Sequence, residues 1–309
     1  MNSLHLFSPA TVANVSCGFD AMGFALDTLG DEMVFTQNTS KKVTISKIEG
    51  AQLPFAVTKN AAGVVVQKML EANGFPFGID IELFKKYKPG SGLGSSAASS
   101  AGAAFAVNHF LGGRYSKQEL VSFAMLGEAA ACGSQIADNV SAALFGGFVL
   151  IRSYHPLEVV SLPTPSELFV TVIHPQVEIK TEDARNILPN EIIMKNAISQ
   201  WANVGGLVSG LYTSDYDLIG RSLVDVVAEP ARKILIPHFN ELKQSSLDNG
   251  ALGAGISGSG PSVFALCKGK ERAQIVAEGF KNTYAKTGID FHIYVSSLGS
   301  EGVKIINAS

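Results

Sequence analysis

A glycine- and serine-rich stretch that runs into alanines constrains the fold of this chain more than any other feature. Residues 89–98 read PGSGLGSSAA, and an alanine-rich run continues to about Phe110. Glycine accepts positive φ, serine caps helix N-termini and alanine favours helix, so the pattern predicts a glycine loop that leads into a helix. Free amides and the helix dipole suit such a position to an anion, most naturally phosphate. Composition alone also allows a flexible turn before a core helix.

Length and charge narrow the class of protein. A chain of 309 residues favours about two domains. Its net charge of −3 gives no electrostatic reason to expect a nucleic acid or an anionic membrane as partner. Residues 89–113 lack Asp, Glu, Lys and Arg, but they are rich in glycine and serine and contain no long apolar run, so a membrane span is not expected.

The cysteines indicate the compartment. Cys17, Cys132 and Cys267 are widely spaced and form no C-x-x-C motif. An odd number without a framework predicts reduced, mostly buried thiols in a cytoplasmic protein. A soluble enzyme of small metabolites fits these bounds best.

The order of predicted elements suggests two halves. Residues 3–8 and 31–48 have strand patterns, and the mixed segment 8–27 between them is predicted to be a structured loop. Prolines in 153–167 place the boundary there, giving an N-terminal domain of 1–160 and a C-terminal domain of 161–309. Helical spacing predicts a helix over 230–247, and the second half ends in strand–helix–strand, an α+β pattern.

The glycine loop does not match the commonest phosphate motifs. No lysine follows its glycines, as a P-loop requires, and glycines at 90, 92 and 94 do not form the dinucleotide pattern G-x-G-x-x-G. The protein-kinase motifs H-R-D and D-F-G are also missing from the sequence. The stretch resembles instead the signature of the GHMP kinases, and a second glycine segment, 253–261 (GAGISGSGP), supports this resemblance.

The resemblance implies a fold and a phosphoryl donor. The expected fold is the two-domain α+β GHMP kinase fold, with an N-terminal α/β domain that carries the nucleotide site and a ferredoxin-like C-terminal α+β domain. ATP and Mg²⁺ are the implied cofactors, with Ser96 and Glu128 as metal ligands. The residues expected at the nucleotide are Asn60, Pro89, Gly90, Ser91, Gly92, Leu93, Gly94, Ser95, Ser96, Ala97, Ala98 and Ser99.

Further segments resemble one branch of this family, the homoserine kinases. They are 9–14 with 18–23, Glu128 with 138–140, 181–189, and 229–237. The resemblance implies ATP-dependent phosphorylation of L-homoserine to O-phospho-L-homoserine in threonine biosynthesis, by a homodimer. In one respect the chain departs from the pattern: Ile136 stands where these enzymes commonly have a histidine.

An amino-acid substrate needs partners for a carboxylate and an ammonium group. Arginine suits a carboxylate because its planar fork binds both oxygens. The expected substrate residues are Asn14, Asp20, Asp138, Asn139, Thr181, Arg185 and Arg232. Asn139, Asp20 and Glu128 are the expected catalytic residues, in a mechanism that relies on positioning and electrostatic stabilisation rather than on a dedicated base. Asp20 and Asp138 could each bind the ammonium group or orient the hydroxyl, and the sequence does not assign one role to either residue.

Two alternatives remain open from the sequence. Another GHMP kinase, acting on mevalonate or a sugar, would share the glycine loop but has less need for two carboxylate-binding arginines. A non-catalytic ligand-binding relative would bind nucleotide without turnover, although Ser96, Glu128 and Asp20 are all present.

Overall fold

The computed structural model describes residues 2–299 and 301–308. The strands are Ser3–Ala13 (β1), Met22–Asn38 (β2), Val43–Glu49 (β3), Gly78–Phe84 (β4), Phe148–Tyr154 (β5), Leu157–Leu162 (β6), Leu168–Pro175 (β7), Gly253–Ile256 (β8), Val263–Lys268 (β9), Phe291–Ser297 (β10) and Lys304–Ala308 (β11). The helices are Ala61–Ala72 (α1), Ser95–Phe110 (α2), Lys117–Cys132 (α3), Asp138–Phe145 (α4), Thr181–Asn186 (α5), Met194–Thr213 (α6), Tyr216–Ser222 (α7), Glu229–Arg232 (α8), Phe239–Asp248 (α9) and Lys270–Tyr284 (α10).

The first sheet has seven strands and carries helices α1–α4 on one face. Its order is β11-β1-β2-β4-β3, and β5 pairs with β2 and with β6. The early part of β2 pairs with β5, whereas its later part pairs with β4. Alternate residues of the strands, such as Met33 and Phe35 of β2, pack with the helices in one apolar core. Ala97, Ala101 and Ala104 of α2 pack into the same core and so fix the helix that follows the glycine loop.

The second sheet has four antiparallel strands in the order β10-β7-β9-β8. Helices α5–α9 lie between β7 and β8 in the chain, and α10 lies between β9 and β10. This β-α-β-β-α-β order with the first strand beside the fourth and the third is the ferredoxin-like topology, so the expectation for the C-terminal half is confirmed.

A separate apolar core joins the two sheets. The ring of Phe24 on β2 lies 4.9 Å from the ring of Phe148 on β5 and 5.9 Å from that of Phe264 on β9. The chain passes from the first sheet to the second between β6 and β7 and returns to the first through β11. The division of the chain into two domains at residue 160 stays a prediction, because β11, from the C-terminal end of the chain, pairs with β1 in the first sheet.

Two sequence-based assignments were wrong. Most of 8–27 is strand rather than loop, because β1 and β2 pair up to the Ala13–Gly23 position and leave only the residues between them as a connection. The predicted helix over 230–247 is broken at Ile236, which is extended (φ −108°, ψ 111°) because the following Pro237 disfavours a helical conformation there. Within the described residues, no helix has the length and apolar character needed to cross a membrane.

Candidate active site

The glycine loop has the conformation that its sequence predicts. Gly90, Gly92 and Gly94 have φ of 76°, 78° and 65°, and α2 begins directly after Gly94. The second glycine segment packs beneath it, as Ser257 Oγ donates to Gly92 O at 2.7 Å. A Cβ atom on Gly92 would lie only 2.6 Å from Ser257 O. The loop backbone is therefore held in place from below, with its other side towards a cleft.

A buried lysine that the sequence did not single out supports the start of α2. Lys85, just after β4, forms an ion pair with Asp31 of β2, and both side chains are almost fully buried. Its Nζ also donates to Ser95 O at 2.9 Å and to Ser99 Oγ at 3.0 Å. This lysine precedes the loop, unlike that of a P-loop, and it ties the first turn of α2 to the first sheet.

Only part of the loop lines the cleft. Its lining members are Pro89, Gly90, Gly92, Gly94, Ser95, Ser96 and Ser99. Ser91, Leu93, Ala97 and Ala98 are buried and do not line the cleft, so any contact they make with a nucleotide is through the backbone. Asn60 does line it, but its amide caps α1: its Oδ1 accepts from Ala62 and Gly63. A contact of Asn60 with adenine stays a prediction.

The cleft has a volume of about 690 Å³ and brings the scattered polar residues to the glycine loop. All seven residues expected at the substrate line it: Asn14, Asp20, Asp138, Asn139, Thr181, Arg185 and Arg232. Glu128 and Ile136 also line it. The cleft therefore brings the glycine loop and a set of carboxylate, amide and guanidinium side chains together in a single cavity.

Asp20 and Arg185 face each other as a two-pronged ion pair. Arg185 Nη1 lies 3.0 Å from Asp20 Oδ2, and Nη2 lies 3.1 Å from Oδ1. Each side chain is about one third exposed, so the pair is open to the cleft. Arg185 Nε is buried without a hydrogen-bond partner in the described structure, which leaves a donor for another acceptor.

Asn14 and Arg232 are held by the chain itself. Asn14 Nδ2 donates to Gly258 O at 2.6 Å, and its Oδ1 accepts from the Asp20 amide. Arg232 donates from Nη1 to the same Gly258 O at 3.1 Å and from Nε to Ala184 O at 2.8 Å. Two donors of this buried guanidinium are therefore used to fix the second glycine segment and α5.

The start of α4 carries a polar network that leads back to β1. Asp138 accepts from the Asn139 amide at 2.7 Å, and burial, together with the charge on Asp20, raises the pKa of Asp138 to about 7. The Thr11 hydroxyl donates to Asn139 Oδ1 at 2.7 Å, while the Thr11 amide donates to Leu93 O at 3.0 Å. Thr11 thus links the glycine loop to Asn139 and fixes the orientation of its amide, a contact that the sequence did not reveal.

Glu128 has the character of a ligand for a hard cation. Its side chain is buried beside Ser96, and its Oε1 has no hydrogen-bond partner in the described structure. Burial raises the pKa of Glu128 to about 7. The described residues contain no cluster of three or more His, Cys, Asp or Glu suited to a metal. One carboxylate with a neighbouring hydroxyl nevertheless fits Mg²⁺, which usually takes its other ligands from water and substrate phosphates.

Comparison with known proteins agrees with this geometry. Residues 57–147 match the GHMP kinases N terminal domain, and residues 207–286 match GHMP kinases C terminal. A homoserine kinase of Chlorobium phaeobacteroides is 47% identical, covering 99% of this chain and all of that protein. A homoserine kinase of Methanococcus maripaludis is 42% identical over 92% of this chain and 94% of its own length.

Solved structures give the same result. The crystal structure of homoserine kinase from Cytophaga hutchinsonii has a TM-score of 0.94 and 50% identity, covering 98% of this chain and 97% of that one. Mevalonate kinase of L. major in complex with R-mevalonate shares the fold, with a TM-score of 0.72 at 15% identity, covering 94% of this chain and 95% of its own. The observed fold is the two-domain GHMP kinase fold, and the chain belongs to the GHMP kinase family, within its homoserine kinases.

Proposed function

We propose that the cleft transfers the γ-phosphoryl group of ATP to the hydroxyl of L-homoserine, giving O-phospho-L-homoserine for threonine biosynthesis. The observation that carries this proposal is the junction of a phosphate-sized anion cradle with a facing carboxylate and guanidinium, Asp20 and Arg185, in one cleft. High identity to homoserine kinases over the full chain supports the same activity.

The nucleotide phosphates bind at the start of α2. The first amides of α2, which begins at Ser95, have no partner within the helix, and the helix dipole adds about 0.3–1 kcal/mol there for an anion. Because Ser257, Ser262 and Lys85 already fix the loop, it needs little ordering when ATP binds.

Ser96 and Glu128 are proposed to hold Mg²⁺ with the phosphates of ATP. The unpartnered Oε1 of Glu128 supplies a negative hard oxygen there. Held by these two residues, Mg²⁺ would supply positive charge to offset the negative charge of the phosphates during the transfer. Ionised Glu128 is the form that binds it.

L-Homoserine binds between Asp20 and Arg185, so that each side chain exchanges its partner in the ion pair for a charged group of the substrate. Its carboxylate takes the guanidinium, including the free Nε, and its ammonium takes Asp20, so each of the two charges keeps a partner. Asn14, Thr181 and Arg232 complete the pocket wall. The side-chain hydroxyl of the substrate then points towards Asp138 and Asn139, at the start of α4.

Asn139 positions the acceptor hydroxyl. Thr11 occupies its Oδ1, so its Nδ2 is presented to the cleft, where it donates to the hydroxyl oxygen. Asp138 accepts from Nδ2 at 3.3 Å and orients the group further. As the hydroxyl oxygen bonds to the γ-phosphorus and the bond to ADP breaks, the hydroxyl proton passes to the transferred phosphoryl group and then to water. The reaction rate then comes from in-line positioning and charge stabilisation, without a side chain assigned as base.

Truncated substrates test this assignment in a coupled ADP-release assay. We expect turnover with L-homoserine, and a large loss of kcat/KM with 3-amino-1-propanol, which lacks the carboxylate, and with 4-hydroxybutyrate, which lacks the ammonium group. Turnover of mevalonate or a sugar in place of L-homoserine would favour another GHMP kinase activity. Tight ATP binding without turnover of any alcohol would indicate a non-catalytic relative.

Three further properties are part of the proposal. The division into residues 1–160 and 161–309, a cytoplasmic location and a homodimeric state follow from the sequence and the resemblance. Small molecules, rather than nucleic acids or membranes, are its partners.

A further inference from the structure

A small polar cavity lies directly behind the wall of the cleft. It has a volume of about 10 Å³, and Asn14, Arg232 and Gly258 line both this cavity and the cleft. Ser16 and Glu229 line the small cavity alone. Its volume is at the lower limit, roughly 10–15 Å³, of the space that holds one water molecule. The cavity is therefore large enough for a single water and for nothing bigger.

Two buried oxygen atoms at this cavity have no partner. Ser16 is 4% exposed, and its Oγ has no hydrogen-bond partner in the described part of the chain. Glu229 Oε1 accepts from Lys243 Nζ at 2.6 Å, whereas its Oε2 is buried without a partner there. Buried polar atoms are costly when unpaired, so nearly all of them bind protein groups or ordered water. These two oxygens therefore indicate a ligand that forms hydrogen bonds in the cavity.

Arg232 adds hydrogen-bond donors to the same place. Its Nε donates to Ala184 O and its Nη1 donates to Gly258 O, so three of the five N–H donors of the guanidinium remain. The ring of Phe19 covers one face of the group, with its centre 4.8 Å from the guanidinium carbon. Because Arg232 lines both spaces, its remaining donors serve the cleft and the cavity behind it.

We propose that one water molecule fills this cavity and that Ser16 and Glu229, acting through it, are positioning residues for Arg232. The water accepts from the guanidinium, donates to Glu229 Oε2 and shares a hydrogen bond with the Ser16 hydroxyl. About three partners is the usual number for a buried water. Glu229 and Arg232 are three residues apart on α8, so both side chains leave the helix on one side. The bridge orients Arg232 towards the substrate, and in this respect the inference rests on the proposed function.

Charge favours a neutral water over a cation. The guanidinium of Arg232 and the ammonium group of Lys243 already lie beside Glu229, so a cation in the cavity would face two like charges. Asp225 also lines the cavity, but its carboxylate already accepts from three backbone amides and from Gln200. The described residues thus offer a cation few oxygens that are not already in use.

The backbone holds Ser16 at the cavity in an unfavourable conformation. Asn14, Val15 and Ser16 have φ of 72°, 40° and 54°. Residues other than glycine usually enter this left-handed region singly, and a β-branched residue such as Val15 rarely does. Strained backbone of this kind clusters at ligand sites. Here the turn places Asn14 at the cleft and Ser16 at the cavity behind it.

The direction of one stability change tests whether the water is present. Ser16→Ala removes the hydroxyl but keeps a Cβ atom at the same positive φ. With water in the cavity the variant loses a hydrogen bond, and we expect Tm to fall by about 2–4 °C. In a dry cavity the substitution removes an unpaired buried hydroxyl, so an unchanged or raised Tm would overturn the proposal. A high-resolution crystal structure should show the water within about 3.2 Å of Ser16 Oγ, Glu229 Oε2 and a nitrogen of Arg232.

Steady-state kinetics tests the positioning role. Glu229→Ala should raise the KM for L-homoserine by about 10–100-fold, while Glu229→Gln, which keeps an acceptor for the water, should restore most of the loss. The KM for ATP should stay within about two-fold of the wild type in both variants, because α8 does not hold the glycine loop. Equal increases in the two KM values, or a Gln variant no better than the Ala variant, would overturn the role.

Ser222→Ala is the matched control for Ser16→Ala. Ser222 is 3% exposed, close to the 4% of Ser16, and it lines neither the cleft nor the small cavity. Ser16→Ala should raise the KM for L-homoserine by about 3–10-fold, and Ser222→Ala should leave it unchanged. The melts and the crystal structure need no substrate. A chain that holds the water but does not phosphorylate L-homoserine would therefore contradict the proposed function and leave the water site in place.

Discussion

The glycine loop and the acceptor pocket face each other across one cleft but are held in place differently. The loop is a contiguous segment, packed on the second glycine segment and supported by the buried Lys85. The pocket combines side chains from distant segments, and Asp20 and Arg185 in it are partly exposed. The donor side is therefore part of the folded core, whereas the acceptor side contains a partly exposed ion pair whose members are proposed to exchange partners when substrate binds. Substitutions that disturb the loop should lower the free energy of unfolding, and substitutions in the pocket should weaken substrate binding.

The largest expected effect is on the donor side. Lys85→Met leaves Asp31 buried without its partner, so we expect a loss of about 3–5 kcal/mol in the free energy of unfolding. Urea denaturation measures it. Lys86→Met is the matched control: Lys86 is half exposed and pairs with Glu32 at 3.3 Å, and it should change stability by only about 0–1 kcal/mol. If the two variants were equally stable, the buried Lys85–Asp31 pair would not hold the glycine loop in the folded core as argued above.

On the acceptor side, Arg185→Met should raise the KM for L-homoserine by about 100-fold. A charge-assisted hydrogen bond is worth about 1.5–3 kcal/mol, and this guanidinium is proposed to make several. Steady-state kinetics and a thermal melt measure the two effects, and the melting temperature should stay close to that of the wild type. Arg152→Met, which disturbs an exposed pair with Glu158 outside the cleft, should change neither. A large fall in the melting temperature with an unchanged KM would contradict this prediction.

A pair of glycine substitutions separates loop conformation from loop packing. Gly90→Ala and Gly92→Ala both place a side chain at positive φ, but Gly90 faces open space and Gly92 lies against Ser257 O. We expect Gly92→Ala to be the less stable by about 1–3 kcal/mol, the usual cost of overpacking. Chemical denaturation of both variants gives the difference. Equal values would mean that the second glycine segment does not support the loop.

A further effect is expected in the dependence of stability on pH. The pKa of Glu128 is raised from 4.5 to about 7, so the folded protein binds a proton more tightly than the unfolded chain does. The contribution of Glu128 to stability is therefore present below pH 4.5 and is lost as the pH rises to about 7. Denaturation at several pH values should show a loss of stability over this window, and Glu128→Gln should remove only part of it, because the pKa of the buried Asp138 is also raised to about 7.

Glu119 is a control for this measurement, because its contribution to stability should change with pH in the opposite direction. Its pKa is lowered by hydrogen bonds from Ser116, so its contribution is lost as the pH falls. Parallel stability profiles of Glu128→Gln and the wild type between pH 4.5 and 7 would show that burial does not raise the pKa of Glu128.

Local features were predictable from the sequence, and distant ones were not. The glycine loop and the capping box of Ser116 and Glu119 are contiguous patterns, and both are present in the structure. Lys85 lies in a lysine-rich segment that looks like a surface turn, and only the fold brings Asp31 to it. Pro9 and Gly23 made 8–27 resemble a loop, but pairing between β1 and β2 outweighs the low strand propensity of these residues.

The acceptor pocket shows the same limit. Asp20 and Arg185 are 165 residues apart in the chain, so no spacing rule predicts that they meet. Their roles were inferred through resemblance to a family rather than from a local pattern. The resemblance named Arg232 for the substrate, whereas the structure also uses it to hold Ala184 and Gly258.

The pairing of β11 with β1 has a consequence during synthesis of the protein. On its outer side β1 pairs with β11, which begins about 290 residues after β1 ends. At roughly 5–20 residues per second, β1 waits for tens of seconds on the ribosome with an open edge. Open strand edges recruit other chains. Nascent chains of this protein should therefore depend on chaperones that shield an exposed β edge, and faster translation of the second half should improve the yield of soluble protein.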